Sequence, residues 1–169
     1  MTQTEAVSET ALRITRKLAA PRELVFKAWT EPESLAKWWG VQADYTTPIA
    51  EVDLRVGGKY RLGMQAPDKD QPFVVGGVFR EVSPPEKLVY TWVWEPQIPE
   101  TEIISGSGPE GVVAAGETLV TVEFHDVDGQ TEIVLTHKFF ADQSMRDQHS
   151  HGWSGCLEQL ATLVEGARL

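Results

Sequence analysis

The sequence predicts an α+β fold in which a curved antiparallel sheet of six to seven strands wraps around one long C-terminal helix. Three observations predict it. From about residue 50 to residue 140 the apolar residues mostly recur with period two, and from about Asp142 to Glu165 the period is 3.6. Strands and helices do not alternate along the chain, so the sheet is antiparallel. A single amphipathic helix cannot cover so wide a sheet if the sheet is flat, so the economical arrangement curls the sheet around the helix.

The elements follow in order. Residues 1–10 read as a flexible tail, and 11–169 as one domain. In "ALRITRKLAA" the alternation of Leu12, Ile14 and Leu18 with Arg13, Thr15 and Lys17 marks a half-buried strand. Pro21 opens a helix where its missing N–H is harmless, and Leu24, Val25, Ala28 and Trp29 give it an apolar side. Thr30 and Glu33 have capping-box spacing for a second short helix, with Gly40 as its left-handed stop. Leu35, Trp38 and Trp39 stand at i, i+3 and i+4, so both tryptophans flank one stripe.

"AEVDLRVGGKYRLGM" holds two strands broken by Gly57-Gly58, with Tyr60, Leu62 and Met64 sharing a side. "FVVGGVFREV" and "EKLVYTWVWE" follow around the Pro84-Pro85 break, and Tyr90, Trp92 and Trp94 form an aromatic row beside Leu88. Residues 96–116, rich in Gly, Pro and Ser, make a long connection of the kind that carries function or mobility. Two further strands meet at Asp128-Gly129. The final helix carries a stripe of Trp153, Cys156, Leu157, Leu160 and Val164, with Ser144 and Asp147 as its capping signature. Gly152 inside it points to a close backbone approach.

Composition narrows the function classes. One domain of 169 residues with a net charge of −10 argues against nucleic acid and against anionic lipid surfaces. No apolar run approaches a membrane span and the first residues lack a signal-peptide pattern, so a cytoplasmic setting is expected. The one cysteine and four histidines make no zinc set, and no metal is expected. Nucleophile-elbow, P-loop and dinucleotide motifs are absent, so no cofactor is expected.

Candidate site residues come from the inward faces. His137 is in phase with Ile133, Leu135 and Phe139, and His149 lies one turn before Trp153. Two imidazoles aimed at one cavity bind a polar group or move a proton. The alternative is two core histidines, each satisfied by a buried hydrogen bond. Glu51 alternates with Asp53 and Arg55 along one strand face. It is a proton-transfer group if that face is buried and an ordinary surface charge if it is solvated. Cys156 reads as a small core residue.

The order of segments "ITRKLAAPRELVFKAWTEPESLAKWWG", "DLRVGGKYRLGM", "GGVFREVSPPEKLVYTWVW", "TLVTVEF…TEIVLTHKFF" and "RDQHSHGWSGCLEQLATLVEG" resembles the START-like (SRPBCC) helix-grip superfamily, the fold of the birch-pollen allergen. Within it the chain is most similar to the family of homologues of the activator of the heat-shock-protein-90 ATPase. The 96–116 join is often shorter in relatives. The resemblance implies a cavity between helix and sheet for a small hydrophobic or amphipathic molecule, with Trp38 and Trp39 at its mouth. Tyr60, Leu62, Met64, Tyr90, Trp92, Trp94, Leu135, His137, Phe139, His149 and Trp153 are the candidate ligand contacts. The leading expectation is a binding protein. A polyketide cyclase, aromatase or dehydratase using His137, His149 or Glu51 is the alternative, and a co-chaperone or stress-response interaction protein the third. A homodimer stays open. Chaperone ATPase activation is discounted, because the activator joins this domain to a second one.

Overall fold

The computed structural model describes residues 2–95 and 117–166. The expected 96–116 connection lies outside the described residues. Eight strands and three helices are described in the order β1 (Thr2–Ser8), β2 (Ala11–Leu18), α1 (Arg22–Thr30), α2 (Pro32–Trp38), β3 (Thr46–Val52), β4 (Lys59–Gln65), β5 (Phe73–Ser83), β6 (Lys87–Trp94), β7 (Thr118–Val127), β8 (Gln130–Lys138) and α3 (Gln143–Gly166). The strands form one antiparallel sheet in the order β1-β2-β8-β7-β6-β5-β4-β3. The α+β reading holds, with one strand more than the upper count expected. No described helix is long and apolar enough to cross a membrane.

The extra strand comes from the presumed tail. Residues 2–8 pair with β2 and form the edge of the sheet. The side chains of residues 3–8 are exposed, so no apolar alternation announced them, and the backbone ladder orders them together with the Arg146 bond to the Ser8 carbonyl. At the other edge β3 starts earlier than expected and ends at Val52. Asp53 and Arg55 therefore sit in the β3–β4 turn, bonded to each other at 2.9 Å, rather than on a strand face with Glu51. Gly57, with φ 86°, makes that turn, and Asp128 and Gly129, both at positive φ, make the β7–β8 hairpin. Register shifts interrupt the β5–β6 ladder between Phe79 and Glu81 and the β3–β4 ladder between Thr46 and Ile49, the kind of irregularity that bends a strand.

The helix ends differ from the sequence reading in chemistry more than in place. Glu31, not Thr30, precedes α2, with Pro32 in its first turn. Thr30 turns its hydroxyl back to donate to the Phe26 carbonyl at 2.8 Å. Asp142, not Ser144, caps α3 by accepting the Met145 N–H at 2.9 Å. Gly40 does not adopt a left-handed conformation; a Cβ there would lie 2.7 Å from the Tyr45 side chain, so close packing requires the glycine.

The core sits between the inner sheet face and α3. Leu12, Ile14, Leu88, Val120, Val122, Ile133 and Leu135 face Trp153, Cys156, Leu157, Leu160 and Val164. Helices α1 and α2 cover one end, where Phe26 and Trp29 meet Phe124.

The close backbone approach on α3 is at Gly155, one turn beyond the glycine the sequence singled out. A Cβ on Gly155 would lie 2.3 Å from the Val41 carbonyl oxygen, while one on Gly152 meets nothing within 4 Å. Opposite results are expected from two alanine substitutions. Gly155→Ala forces the 41 segment away from the helix and costs about 1–3 kcal/mol. Gly152→Ala gains helix propensity and stabilises by up to about 1 kcal/mol. Urea melts of the two variants measure both.

A candidate ligand cleft

Tryptophans build the site. Trp153 of α3 stacks on Trp29 (centroids 6.0 Å, planes 18° apart) and meets Trp39 edge-on at 5.6 Å and Trp92 at 5.0 Å. Trp38 packs against Trp29 at 5.2 Å. Such edge-on and offset pairs add about 0.5–1.5 kcal/mol each beyond area burial. The cluster fills the inner part of the space that a hollow between helix and sheet would occupy. On its outer side a cleft of about 710 Å³ remains, bounded by the first turns of α3, the inner faces of β4–β6 and the 39–45 segment.

The expected contacts divide accordingly. Trp39, Met64, Trp92, Trp94, His149 and Trp153 line the cleft. Trp38 does not; it is buried and donates its indole N–H to the Ala28 carbonyl at 2.8 Å. Tyr60, Leu62, Tyr90 and Leu135 belong to the core. The Tyr60 hydroxyl donates to the Thr91 carbonyl at 2.6 Å, and the Tyr90 oxygen accepts the Trp29 N–H at 3.2 Å. Burial raises both phenol pKa values above the ordinary range, so both stay neutral.

Phe139 is a correction. The strand ends at Lys138, Phe139 turns to φ 76° and is 41% exposed, and the alternation that put it beside His137 is lost. Phe140 takes the inward place, 4.4 Å from His137 and 4.8 Å from His149, ring to ring. Glu51 is also corrected: it is exposed, opposite Arg61 across the β3–β4 ladder, and does not reach the cleft.

The histidines do converge, with ring centroids 5.2 Å apart, but each is fully engaged. His149 accepts the Trp94 indole N–H on Nε2 at 2.8 Å and donates Nδ1–H to the Met145 carbonyl at 2.8 Å. His137 accepts the Trp153 N–H on Nδ1 at 3.0 Å and donates Nε2–H to Thr118 Oγ1 at 2.6 Å. The Thr118 hydroxyl in turn donates to the Trp92 carbonyl at 3.3 Å. Indole is a donor only, which fixes both tautomers. Burial holds both imidazoles below the usual histidine pKa, His137 furthest because it is the more deeply buried, with the neighbouring His149 adding to the shift. The Cys156 thiol at the cleft wall is pushed up to about 12 by burial and stays protonated. Among the described residues no group of three or more His, Cys, Asp or Glu is arranged to hold a metal.

The sequence reading missed Val41, Gln42, Tyr45, Phe73, Glu95, His151, Cys156, Met145, Gln148 and Gly152 in the lining. A signal existed for the last three. Met145, Gln148, His149, Gly152, Trp153 and Cys156 continue the 3.6-residue stripe one and two turns before Trp153. The 41–45 residues come from an irregular segment and carried no periodic signal.

A family model described as activator of Hsp90 ATPase homolog 1-like protein matches residues 19–165. The chain belongs to that family. Among solved structures, a Chromobacterium violaceum protein is 26% identical with a TM-score of 0.73, covering 92% of this chain and 98% of its own. An Aeromonas hydrophila protein of the family is 27% identical with a TM-score of 0.68, covering 92% and 93%. A Rhodobacter sphaeroides protein at 20% identity and a TM-score of 0.76, covering 98% and 99%, shares the fold. No curated protein matches the chain.

For this family member the histidine geometry sets a pH dependence. A folded-state pKa below the unfolded one gives stability that is complete above the unfolded value of 6.5 and is lost as pH falls toward the folded value. Unfolding free energy should therefore drop below about pH 6.5, by up to about 1.4 kcal/mol per pH unit for each histidine that stays neutral. Replacing His137 with Asn should flatten the drop in urea melts across this range.

Proposed function

We propose that this protein encloses a small, neutral, largely apolar ligand in the cleft and holds it by packing, without catalysis. The observation that carries the reading is the cleft itself: about 710 Å³ with Trp39, Tyr45, Phe73, Trp92, Trp94 and Trp153 in its walls. Binding sites for small molecules are commonly of this size, apolar, with a few polar groups to orient the guest. Aromatic walls favour a flat guest that stacks or meets ring edges. Among the described lining residues there is no lysine or arginine to meet a carboxylate. Glu95, at the rim, is already engaged with Arg61 through two bonds of 2.7 and 2.9 Å.

Binding is favoured over turnover by the state of the histidines. Proton transfer needs a group with a free lone pair or proton within reach of the guest. His137 and His149 have both ring nitrogens committed, and Glu51 faces away.

Gly152 supplies a clean test, because it lines the cleft and has open space above it. A panel of flat aromatics such as 2-naphthol and anthraquinone is screened by thermal shift. A guest at a hundred times its Kd should stabilise by about 2.7 kcal/mol, or about 5–10 °C in a chain of this size. Gly152→Leu, which fills the cleft from the helix side, should abolish the shift while leaving the unliganded melting temperature the same or higher. An equal shift in Gly152→Leu, or none with any member of the panel in the parent protein, would contradict the proposal.

A further inference from the structure

The two histidines share an arrangement whose response to acid the binding reading does not use. Each accepts a hydrogen bond from a tryptophan that has one hydrogen to give and no lone pair to offer. Each bond also joins α3 to the sheet: Trp94 of β6 to His149 of α3 at 2.8 Å, and Trp153 of α3 to His137 of β8 at 3.0 Å. The remaining nitrogens are occupied as donors, by the Met145 carbonyl and Thr118. A proton added to either ring therefore lands on the nitrogen that faces an indole N–H. Two donors then oppose each other and the bond is lost.

We infer that the Trp94–His149 and Trp153–His137 bonds form an acid-released latch that ties the first half of α3 to the sheet and so keeps that wall of the cleft in place. This rests on the ligand reading only for what the opened cleft would let go.

The two halves of α3 are held differently. From Cys156 to Glu165 the helix docks through the apolar side chains Cys156, Leu157, Leu160, Ala161 and Val164, with Glu158 paired to the Arg16 guanidinium of β2 and Glu165 accepting the Ala19 N–H at 3.0 Å, and no histidine takes part. From Gln143 to Trp153 it depends on the two latch bonds, the Trp153 ring and a bond from Arg146 to the Ser8 carbonyl at 2.7 Å. The same half forms the cleft wall. The two rings also sit 5.2 Å apart, so the first charge opposes the second.

The charged and titratable groups around the pair come from every neighbouring element. On α3 these are the Arg146–Asp147 ion pair, His151 and Cys156. Beyond Trp94 on β6 stands Glu95, paired with Arg61 of β4. His137 is followed on β8 by Lys138, which lies over the Phe139 ring, and Glu117 precedes Thr118 at the start of β7. The four ring nitrogens themselves are engaged by Trp94, Met145, Trp153 and Thr118. Burial lowers both histidine pKa values, which places release on the acid side of 6.5.

The test uses the whole chain, labelled with ¹⁵N and without any guest, between about pH 7.5 and pH 5. At the upper pH, His149 ring nitrogen shifts should show the Nδ1–H tautomer. On acidification the exchange of amides 143–153, corrected for intrinsic rate, should rise about tenfold relative to amides 157–164 and the β7–β8 hairpin. His149→Gln keeps an acceptor for Trp94 and does not titrate. It should remove most of the pH dependence, and adding His137→Asn should remove the rest. The latch is overturned by the Nε2–H tautomer at His149, by a wild-type profile in His149→Gln, or by both halves of α3 opening together with the hairpin. The cleft's capacity to bind is read separately by the Gly152→Leu comparison, so failure of one leaves the other standing.

Discussion

The packing of Trp153 against three other tryptophans is the constraint on which the rest of the structure depends. Its ring lies 6.0 Å from Trp29 of α1, 5.6 Å from Trp39 beyond α2 and 5.0 Å from Trp92 of β6. One side chain thus joins the long helix, both ends of the short-helix pair and the middle of the sheet. A buried tryptophan hides about 150–250 Å², or at most about 4–6 kcal/mol of transfer free energy. The sheet must curve for all four rings to meet. The same cluster decides where open space can persist: inward of it the core is closed, and outward of it the walls part.

Much of the fold could be read from periodicity. The switch from period two to 3.6, the Asp128-Gly129 hairpin and the apolar stripe on α3 placed the elements that make the core. What could not be read was structure held by backbone alone. From Gln3 to Ser8 edge strand β1 has exposed side chains and no pattern to detect, and its place is set by its ladder with β2. Caps were misplaced by a residue or two because Thr30 satisfies its hydroxyl inside α1, which the sequence leaves equally open to capping. Gly152 and Gly155 look alike in sequence, and only the path of the 41 segment tells them apart.

The site was legible to the extent that it lies on regular elements. Trp92, Trp94, Met64, His149 and Trp153 fell on the faces their periods assign them. Phe139 failed because a single positive-φ residue after Lys138 ends the alternation, so Phe140 occupies the place. Trp38 and Trp39 are adjacent and equally buried, yet one reaches a backbone carbonyl within the core and the other borders the cleft. That division answers why two tryptophans stand side by side there: one closes the core and the other faces the space left over.

The most direct measurement of the central claim, that the tryptophan cluster separates a closed core from an open cleft, follows the six indole N–H resonances while 2-naphthol is titrated into the protein. The account predicts shifts at Trp39, Trp92, Trp94 and Trp153, which border the cleft, with Trp29 and Trp38 unmoved. Shifts of similar size at Trp29 and Trp38 would mean that the guest enters the core, and would contradict it.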